Sequence, residues 1–170
     1  MAEKTTCITT EILKRHPELA PKWMRMKRAT ESDYPELVQF FMDNGLEYGD
    51  EDKYDTDTDE VASYKVMYGD ELAGAVCLAK RDGEFIIDGI AVKEEYRKKK
   101  LGKLLLDKAI STAKELGATS IYLNARAPKF YEAYGFKAVK ANEAPFFYEC
   151  LDCDQYNVTC HPEIMKYEIK

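Results

Sequence analysis

Residues 84–106 read Glu-Phe-Ile-Ile-Asp-Gly-Ile-Ala-Val-Lys-Glu-Glu-Tyr-Arg-Lys-Lys-Lys-Leu-Gly-Lys-Leu-Leu-Leu. The pattern predicts an apolar strand, then a basic loop, then an amphipathic helix from about Leu101 to Leu116. The first turn of a helix presents unpartnered backbone N–H groups and the positive end of the helix dipole, so anions bind there. Five cations surround this point, namely Arg97, Lys98, Lys99, Lys100 and Lys103. The stretch therefore predicts a site for a phosphorylated ligand.

The composition is typical of an ordinary globular protein and excludes some classes of function. The chain has 170 residues, with 25 Lys and Arg against 31 Asp and Glu, which gives a net charge of −6. This acidic balance argues against nucleic-acid binding, which usually requires a basic surface. No apolar run approaches the roughly 20 residues that span a bilayer, and the N-terminal residues lack the apolar core of a secretory signal. We therefore expect a cytoplasmic protein without a membrane partner.

The first third of the chain is predicted to contain an arm, a strand, a helix and an acidic loop. Residues 1–22 are interpreted as an N-terminal arm, and residues 23–170 as one domain with a cysteine-bearing insertion at about 142–163. A strand over Trp23–Ala29 precedes a helix that Gly45 ends. The apolar positions of that helix are Leu37, Val38, Phe40, Phe41 and Leu46. Residues 47–60 are predicted to be a solvated loop, with the alternative hypothesis that their carboxylates attract a cationic amine.

The remaining pattern predicts an α/β domain with a mixed sheet. Three strands, at about Val61–Tyr68, Leu72–Lys80 and Glu84–Val92, are separated by the turn signals Gly69-Asp70 and Asp82-Gly83, so they should be antiparallel neighbours. The third strand is apolar on both faces, with Phe85 and Ile87 on one and Ile86 and Ile90 on the other, which predicts a central position. The helix after it has a predicted buried stripe of Leu106, Ala109, Ile110, Ala113 and Leu116.

The strand Ser120–Ala125 completes a strand–helix–strand unit, which implies a right-handed parallel crossover. A short helix over Pro128–Tyr134 and two strands, near Phe136–Lys140 and Ile164–Ile169, are predicted to follow.

Two blocks of this sequence resemble the signatures of the GNAT superfamily of acyl-CoA-dependent N-acyltransferases. The pyrophosphate signature Gln/Arg-x-x-Gly-x-Gly/Ala reads Arg97-Lys98-Lys99-Lys100-Leu101-Gly102, with Lys100 in place of the first glycine. The pattern Asn-x-x-Ala-x-x-Phe/Leu-Tyr, followed by Gly-Phe, is met by Asn124, Ala127, Phe130, Tyr131, Gly135 and Phe136. The resemblance covers Met24 to about Val139 and resumes at the final strand. It implies the GNAT fold, in which a mixed central β-sheet with antiparallel N-terminal strands contains a βαβ acetyl-CoA-binding unit flanked by helices.

The resemblance also implies acetyl-CoA as the co-substrate and gives roles to particular residues. Backbone groups at the end of the third strand are expected to run beside the pantetheine arm, amides from Arg97 to Gly102 to hold the pyrophosphate, and Asn124 to reach the pantetheine from the other side. Tyr131 occupies the position at which the family commonly has a general acid for the departing thiolate. The predicted cofactor-binding residues are Ile90, Ala91, Val92, Arg97, Lys98, Lys99, Lys100, Leu101, Gly102, Lys103, Asn124 and Tyr131.

The reaction needs an uncharged amine, donors for the oxyanion and a proton for the thiolate. Glu84 and Asp88 lie four residues apart on one strand, and either is a candidate base; Asp88 is favoured because it is nearer the thioester end. Structural alternatives stay open: Tyr131 as a packing aromatic, Asp88 as a partner of backbone groups beside Gly89, and the lysine run as a solvated face or nuclear-targeting patch. The side chain of Lys100 is hypothesised to swing outward, towards the 3′-phosphate.

The cysteines allow two interpretations. Cys150-x-x-Cys153 followed by Cys160-His161 supplies ligand types that suit zinc, but buried or free thiols are the preferred interpretation and no metal is predicted. Cys77 lies in an apolar run and is interpreted as a small buried hydrophobe. No cysteine is expected near the thioester, so no covalent acyl-enzyme is required.

The prediction from sequence is a single-domain N-acetyltransferase that moves an acetyl group from acetyl-CoA to a primary amine by direct attack in a ternary complex. The alternative is a non-catalytic acyl-CoA-binding sensor or interaction module of the same fold. The acceptor is expected to be a small-molecule amine or a protein amine. The oligomeric state stays open, a homodimer included.

Overall fold

The computed structural model describes residues 10–16, 18, 24–46 and 57–170 of the chain. The helices are α1 (Thr10–Arg15), α2 (Tyr34–Asp43), α3 (Leu101–Glu115) and α4 (Pro128–Tyr134). The strands are β1 (Met24–Arg28), β2 (Thr58–Tyr68), β3 (Glu71–Arg81), β4 (Glu84–Val92), β5 (Ser120–Ala125), β6 (Lys137–Ala138) and β7 (Glu163–Glu168). Short 3-10 helices cover Glu31–Asp33, Glu94–Lys99 and Ala141–Glu143. None of the helices in these described ranges has the length and apolar content that crossing a membrane would require.

The strands form one mixed sheet of seven strands in the order β1-β2-β3-β4-β5-β7-β6. All neighbours are antiparallel except β4 and β5, which are parallel and are joined by α3. The predicted central position of the third long strand is confirmed, because β4 is fourth of seven. The predicted mixed α/β architecture with antiparallel N-terminal strands is confirmed as well.

Helices and one long loop cover the two faces of the sheet. On one face, α3 packs Leu105, Leu106 and Ala109 against β2 to β5, and Leu13 of α1 is fully buried in the same cluster. On the other face, α2 packs Leu37 and Phe41 against β3 and β4. Beyond α2, residues 139–147 cover a third, smaller cluster formed by Ala79, Ile86 and Tyr122. The sheet is therefore enclosed on both sides, as its apolar strands require.

Two details of the predicted core are wrong. Ile90 packs with Phe85 and Ile87 on the α3 face, although simple alternation along β4 places it opposite them. The reason is a register shift in the β3–β4 ladder, where Cys77 pairs with Gly89 but Leu78 pairs with Ile87, so the extra residue Asp88 reverses the alternation. Leu116, predicted to end the buried stripe of α3, follows the last helical turn and is 56% exposed.

Candidate active site

The central feature of the candidate site is a cleft between β4 and β5. These parallel strands share a single register pair, Ile86 with Tyr122. Beyond that pair they separate, and the space between them is a cleft of about 450 Å³. Its lining includes Asn44, Leu46, Ile87, Asp88, Gly89, Ile90, Ala91, Val92, Arg97, Leu123, Asn124, Arg126, Ala127, Phe130 and Tyr131. The structure therefore brings together Asp88, the end of β4, Arg97, Asn124 and Tyr131, which the sequence places in one site.

The irregularity in β4 shapes the floor of this cleft. Asp88 is the extra residue of the bulge, and its side chain is 24% exposed. The neighbouring Gly89 is closely packed, because an added Cβ would lie 3.3 Å from Cζ of Phe41 and 3.4 Å from Cδ2 of Leu46. The glycine thus lets α2 pack directly against the bulge. This packing sets the position of Leu46 at the edge of the cleft.

The basic turn between β4 and α3 adjoins one end of the cleft. Tyr96 anchors the turn: it is buried, and its hydroxyl donates to Oε2 of Glu71 over 2.7 Å. Lys100 then adopts the left-handed conformation, with φ of 60° and ψ of 22°. A glycine adopts this conformation without strain. Lys100 therefore has the kind of backbone conformation that would suit the glycine it replaces in the signature. No side-chain hydrogen bond caps the N-terminus of α3.

Gly102 lies in the first turn of α3, against the wall of the cleft. A Cβ added there would lie 3.4 Å from Cζ of Phe130 and 4.0 Å from Cγ2 of Val92, two residues that line the cleft. The opening turn of α3 and its uncapped backbone amides are therefore within reach of a ligand in the cleft.

Side chains of the basic run point in several directions. Arg97 lines the cleft and donates from Nε to the Val92 carbonyl oxygen over 3.2 Å. The ammonium of Lys99 lies 4.7 Å from the ring centre of Tyr68, and Tyr68 belongs to the core cluster on the α3 face. Lys103 bonds Asp107 one turn along α3, and Leu101 is buried in the core. A ligand in the cleft would therefore meet Leu101 through its backbone. Lys100 is exposed, and no structure is described for the side chain of Lys98.

Tyr131 lies in α4 on the wall of the cleft opposite β4. Its ring packs edge-on against Phe130 and Phe136, at centroid distances of 5.0 and 5.7 Å. Burial raises the pKa of Tyr131 to about 12, because the surrounding apolar groups disfavour the phenolate. The hydroxyl is therefore protonated throughout the neutral range, as a general acid must be. Asn124, at the end of β5, lies on the same side of the cleft.

A side pocket of about 100 Å³ opens next to the cleft and shares Leu46, Ile87, Asp88, Asn124 and Arg126 with it. The rest of its wall consists of Gly45, Phe147, Glu149, Cys150, Cys153, Gln155, Cys160 and Pro162. Asn124 donates from Nδ2 to the sulfur of Cys150 over 3.2 Å. No cysteine was expected near the thioester, but the structure places Cys150 against Asn124, a residue predicted to contact the pantetheine. The loop between β6 and β7 folds back over the end of β5, a long-range contact that local sequence does not reveal.

Arg81 is the buried centre of the charge network beside the side pocket. Its side chain is fully buried and donates to Thr58 Oγ1, the Phe146 carbonyl oxygen, Asp88 Oδ1 and Glu149 Oε1, over 2.8, 3.1, 3.2 and 2.6 Å. Its guanidinium carbon lies 4.6 Å from the ring centre of Tyr148. Burial by itself would lower the pKa of Arg81, but the hydrogen bond and charge of Glu149 and the charge of Asp88 raise it. Arg81 of β3 thus links β2 and β4 to the β6–β7 loop through its hydrogen bonds.

Sequence reasoning missed Arg81 and Glu149. The run Lys80-Arg81-Asp82-Gly83 resembles an ordinary exposed hairpin end. The only signal in the sequence is weak: an arginine two residues beyond Ala79, where the apolar stretch of β3 ends.

Two further predicted features are not part of the cleft lining. Glu84 is the first residue of β4, lies opposite Arg81 in the ladder and is exposed. It precedes Ile86, where β4 still pairs with β5, so it is remote from the opening and is not placed to act as the base. Of the acidic segment 47–60, residues 47–56 lie outside the described residues. The remainder begins with Asp57, whose carbonyl oxygen accepts from Asp82 N, and then enters β2.

The thiols of the loop are close to one another without forming a metal centre. Cys150, Cys153 and Cys160 are free and half-buried. Burial raises the pKa of the Cys150 thiol, and the negative potential of Cys160 and Glu149 adds to the effect. In the ranges that the structure describes, no group of three or more His, Cys, Asp or Glu side chains has an arrangement that could hold a metal ion.

Comparisons with known proteins agree with this geometry. Residues 23–136 match the model of the acetyltransferase (GNAT) family. The uncharacterized N-acetyltransferase YvbK of Bacillus subtilis strain 168 is 34% identical over 112 residues, which cover 61% of this chain and 72% of that protein. A GNAT-family acetyltransferase from Staphylococcus aureus Mu50 has a TM-score of 0.63 at 20% identity, covering 86% of this chain and 99% of that one.

A Bacillus subtilis acetyltransferase in complex with CoA has a TM-score of 0.55 at 22% identity, with the same coverage of 86% and 99%. At these identities the two solved structures establish the fold alone, whereas the family model covers more than half of the chain. The chain therefore belongs to the acetyltransferase (GNAT) family and is an acyltransferase.

Proposed function

We propose that this protein transfers an acetyl group from acetyl-CoA to a primary amine, by direct attack of the amine within a ternary complex. The observation that carries the proposal is the cleft of about 450 Å³ between the separating strands β4 and β5. One end adjoins the uncapped first turn of α3 and the guanidinium of Arg97, and the other end reaches Asp88 and the side pocket. Such a cleft fits a long ligand with an anionic end and a reactive end.

The anionic end of that ligand fits the basic turn. Amides at the start of α3 carry no side-chain cap and can donate to phosphate oxygens, while Arg97 supplies a charged donor. The left-handed Lys100 turns the backbone into the helix, so the same amides converge. Backbone groups of Ile90, Ala91 and Val92 on one wall and Asn124 on the other would hold the pantetheine arm. The Bacillus subtilis structure that contains CoA shares this fold and supports the choice of ligand.

Tyr131 is the proposed general acid. With a pKa near 12 it stays protonated at neutral pH and can give its proton to a departing thiolate, whose conjugate acid has a pKa of about 8.5. The aromatic contacts with Phe130 and Phe136 hold the ring in one orientation. This arrangement supplies the proton at a fixed place on the cleft wall.

Asp88 is the proposed acceptor-side carboxylate. It lines both the cleft and the side pocket, and its Oδ1 forms an ion pair with the buried guanidinium of Arg81. A carboxylate at this position attracts an ammonium group and binds the water that carries its proton away. The acceptor amine then enters through the side pocket, between Leu46 and Phe147. The acceptor can be a small molecule or the amine of a protein, since the cleft fixes only the position of the reacting nitrogen.

The test combines a binding measurement with a screen of amines. Calorimetry should show saturable binding of acetyl-CoA, and CoA release should become amine-dependent with one or more members of a panel of small amines and peptides. Arg97→Ala should weaken acetyl-CoA binding about 10- to 100-fold, since a charge-assisted hydrogen bond contributes about 1.5–3 kcal/mol. Lys114→Ala, in the last turn of α3, removes an equal charge far from the cleft and should leave the affinity unchanged.

Two results would contradict the proposal. Absence of acetyl-CoA binding at millimolar concentration would reject the ligand. Tight binding without turnover across the panel would favour the non-catalytic acyl-CoA sensor instead.

The direct mechanism needs a separate test, because the Cys150 sulfur lies against Asn124 and a nearby thiol could accept the acetyl group covalently. The protein is incubated with acetyl-CoA without any amine, and its intact mass is measured. Direct attack predicts an unchanged mass, whereas a hydroxylamine-sensitive acetyl adduct on Cys150 would show a covalent route.

A further inference from the structure

The loop between β6 and β7 places three thiols on one wall of the side pocket. Cys150, Cys153 and Cys160 are all half-buried, so a small solute can reach them, and all three line the pocket of about 100 Å³. The proposed acetyl transfer uses none of these sulfur atoms. A fourth thiol, Cys77, is 9% exposed within β3 and is not part of this wall.

Backbone geometry distinguishes one pair among the three. The Cys153 N–H donates to the Cys150 carbonyl oxygen over 3.2 Å, which closes a four-residue turn. In such a turn the first and last Cα atoms lie within about 7 Å, and a disulfide needs a Cα separation of about 4.4–6.8 Å. Cys160 belongs to a separate turn, in which its N–H donates to the Gln155 carbonyl oxygen over 2.9 Å. The turn therefore holds Cys150 and Cys153 at a Cα separation close to the range that a disulfide can bridge.

We propose that Cys150 and Cys153 form a redox modification site, at which hydrogen peroxide or a related two-electron oxidant joins them in a disulfide. Because burial raises the pKa of the Cys150 thiol, the Cys153 thiolate is the one that attacks the peroxide; it becomes a sulfenic acid, with hydroxide as the leaving group. The second thiol attacks that sulfur, the S–S bond forms and water leaves. In total, two thiols and one hydrogen peroxide give one disulfide and two waters. The protein loses two electrons and two protons.

The disulfide acts on the acetyl transfer through Asn124. In the reduced protein the Cys150 sulfur accepts the hydrogen bond of Asn124 Nδ2, and Asn124 lines both the cleft and the side pocket. A bond to Cys153 turns that sulfur towards the loop, removes the partner of Asn124 and changes the shape of the side pocket. The basic turn that would hold the phosphates lies at the other end of the cleft and is unaffected. Oxidation should therefore reduce turnover and leave CoA binding intact; this consequence rests on the proposed function.

The experiment maps the disulfide directly. A Cys7→Ser background removes the cysteine that lies outside the described residues, and hydrogen peroxide is added to the reduced, folded chain. Free thiols are then alkylated and the peptides are mapped by mass spectrometry. We expect two thiols to disappear together as a Cys150–Cys153 disulfide, both in the background protein and in its Cys77→Ser and Cys160→Ser derivatives. The Cys150→Ser and Cys153→Ser derivatives should form no intramolecular disulfide.

The controls separate this outcome from others. Burial raises the pKa of Cys77 to about 12, so this thiol should remain reduced and serve as an internal reference. A thermal unfolding curve for each variant checks that it is folded before oxidation. A disulfide that includes Cys160, or oxidation of a single sulfur to sulfinic acid without a disulfide, overturns the proposal.

Activity is compared between the reduced and oxidised states of each variant. Turnover in the oxidised protein should fall by about tenfold or more, because small displacements at a reacting centre are costly, and dithiothreitol should restore it. Calorimetry with CoA should give equal affinity in both states. Unchanged turnover in a protein with the mapped disulfide would reject the effect on Asn124. If no amine is ever acetylated, the proposed function fails, and the peptide map still decides the disulfide.

Discussion

Tyr131 is the proposed general acid, and its hydroxyl can be removed without changing its ring contacts. Replacing it with Phe keeps the ring contacts and removes only the hydroxyl, so we expect kcat to fall about 100-fold or more, because general acid catalysis contributes about 10²- to 10⁴-fold. The KM for acetyl-CoA should change little. Steady-state release of CoA measures both. Tyr134→Phe is the matched control, because that hydroxyl donates to Asp107 over 2.6 Å and is not part of the cleft lining.

The raised pKa of Tyr131 also predicts the form of the pH profile. The acid form persists until the pH approaches about 12, so Tyr131 should cause no fall in kcat between pH 7 and pH 10. The rate should instead rise over this range as the acceptor amine loses its proton. A descending limb between pH 8 and pH 10 that is absent in Tyr131→Phe would show that the hydroxyl ionises at its ordinary pKa.

Lys100 has a left-handed backbone, with φ of 60°. That conformation costs a residue with a Cβ about 1–2 kcal/mol, and a glycine avoids this cost but loses about 0.5–1 kcal/mol through the entropy of its unfolded chain. Lys100→Gly should therefore raise the free energy of unfolding by about 0.5–1 kcal/mol, as measured by urea denaturation. Lys100→Ala keeps the strain and should show no such gain. Tighter binding of acetyl-CoA by Lys100→Gly would mean that the lysine side chain obstructs the phosphates.

At the scale of elements, Arg81 holds the β6–β7 loop against β3 and β4. Replacing Arg81 with Met leaves Asp88 and Glu149 close together without their shared cation, and breaking a buried ion pair in this way costs about 3–5 kcal/mol. Urea denaturation measures the loss. Arg126→Met is the control, since that guanidinium is exposed and should cost less than about 1 kcal/mol.

The pH dependence of Arg81→Met has a definite sign. Without the cation, the two facing carboxylates repel each other in the folded state, and this repulsion favours their protonated forms. A group with a raised folded pKa is favourable at low pH and loses that contribution as the pH rises through the folded value. The deficit relative to the native chain should therefore shrink between pH 7 and pH 5. A deficit that is constant over this range would mean that the lost stability comes from packing against Tyr148.

The elements themselves were predictable because their signals are local. The apolar run of β4, the glycines after β2 and β3 and the stripe of α3 predicted the strand order at the centre of the sheet. The bulge at Asp88 was not predictable, because it depends on how Cys77 and Leu78 pair across the ladder. The contact between Asn124 and Cys150 joins residues 26 positions apart, and Cys150 lies in a part of the β6–β7 loop that belongs to no helix or strand. Sequence spacing therefore indicated the residues of the proposed cofactor side and did not reveal the loop residues of the proposed acceptor side.

On the scale of the whole molecule, the sheet is weakest where the cleft lies. One register pair joins β4 to β5, while every other neighbour shares two or more. A ligand that contacts both strands should therefore stabilise the whole fold. At about 100 times its dissociation constant, acetyl-CoA should add about 2.7 kcal/mol and raise the Tm by about 5 to 10 °C.

Differential scanning fluorimetry measures this shift, and hydrogen exchange locates it. Amides of β4 and β5 beyond Ile86 and Tyr122 should be protected most by the ligand. Protection confined to the outer strand β1 would contradict a ligand position between these strands.

The β6–β7 loop covers Ile86 and Tyr122 with one part and places its three thiols in the side pocket with another. These two roles matter for protein engineering. Grafting the corresponding loop of another acetyltransferase onto this scaffold would exchange acceptor preference and uncover the sheet in a single step. Random libraries confined to 150–160 should therefore evolve new specificities more readily than libraries that include 144–149, where Phe147 and Glu149 anchor the scaffold.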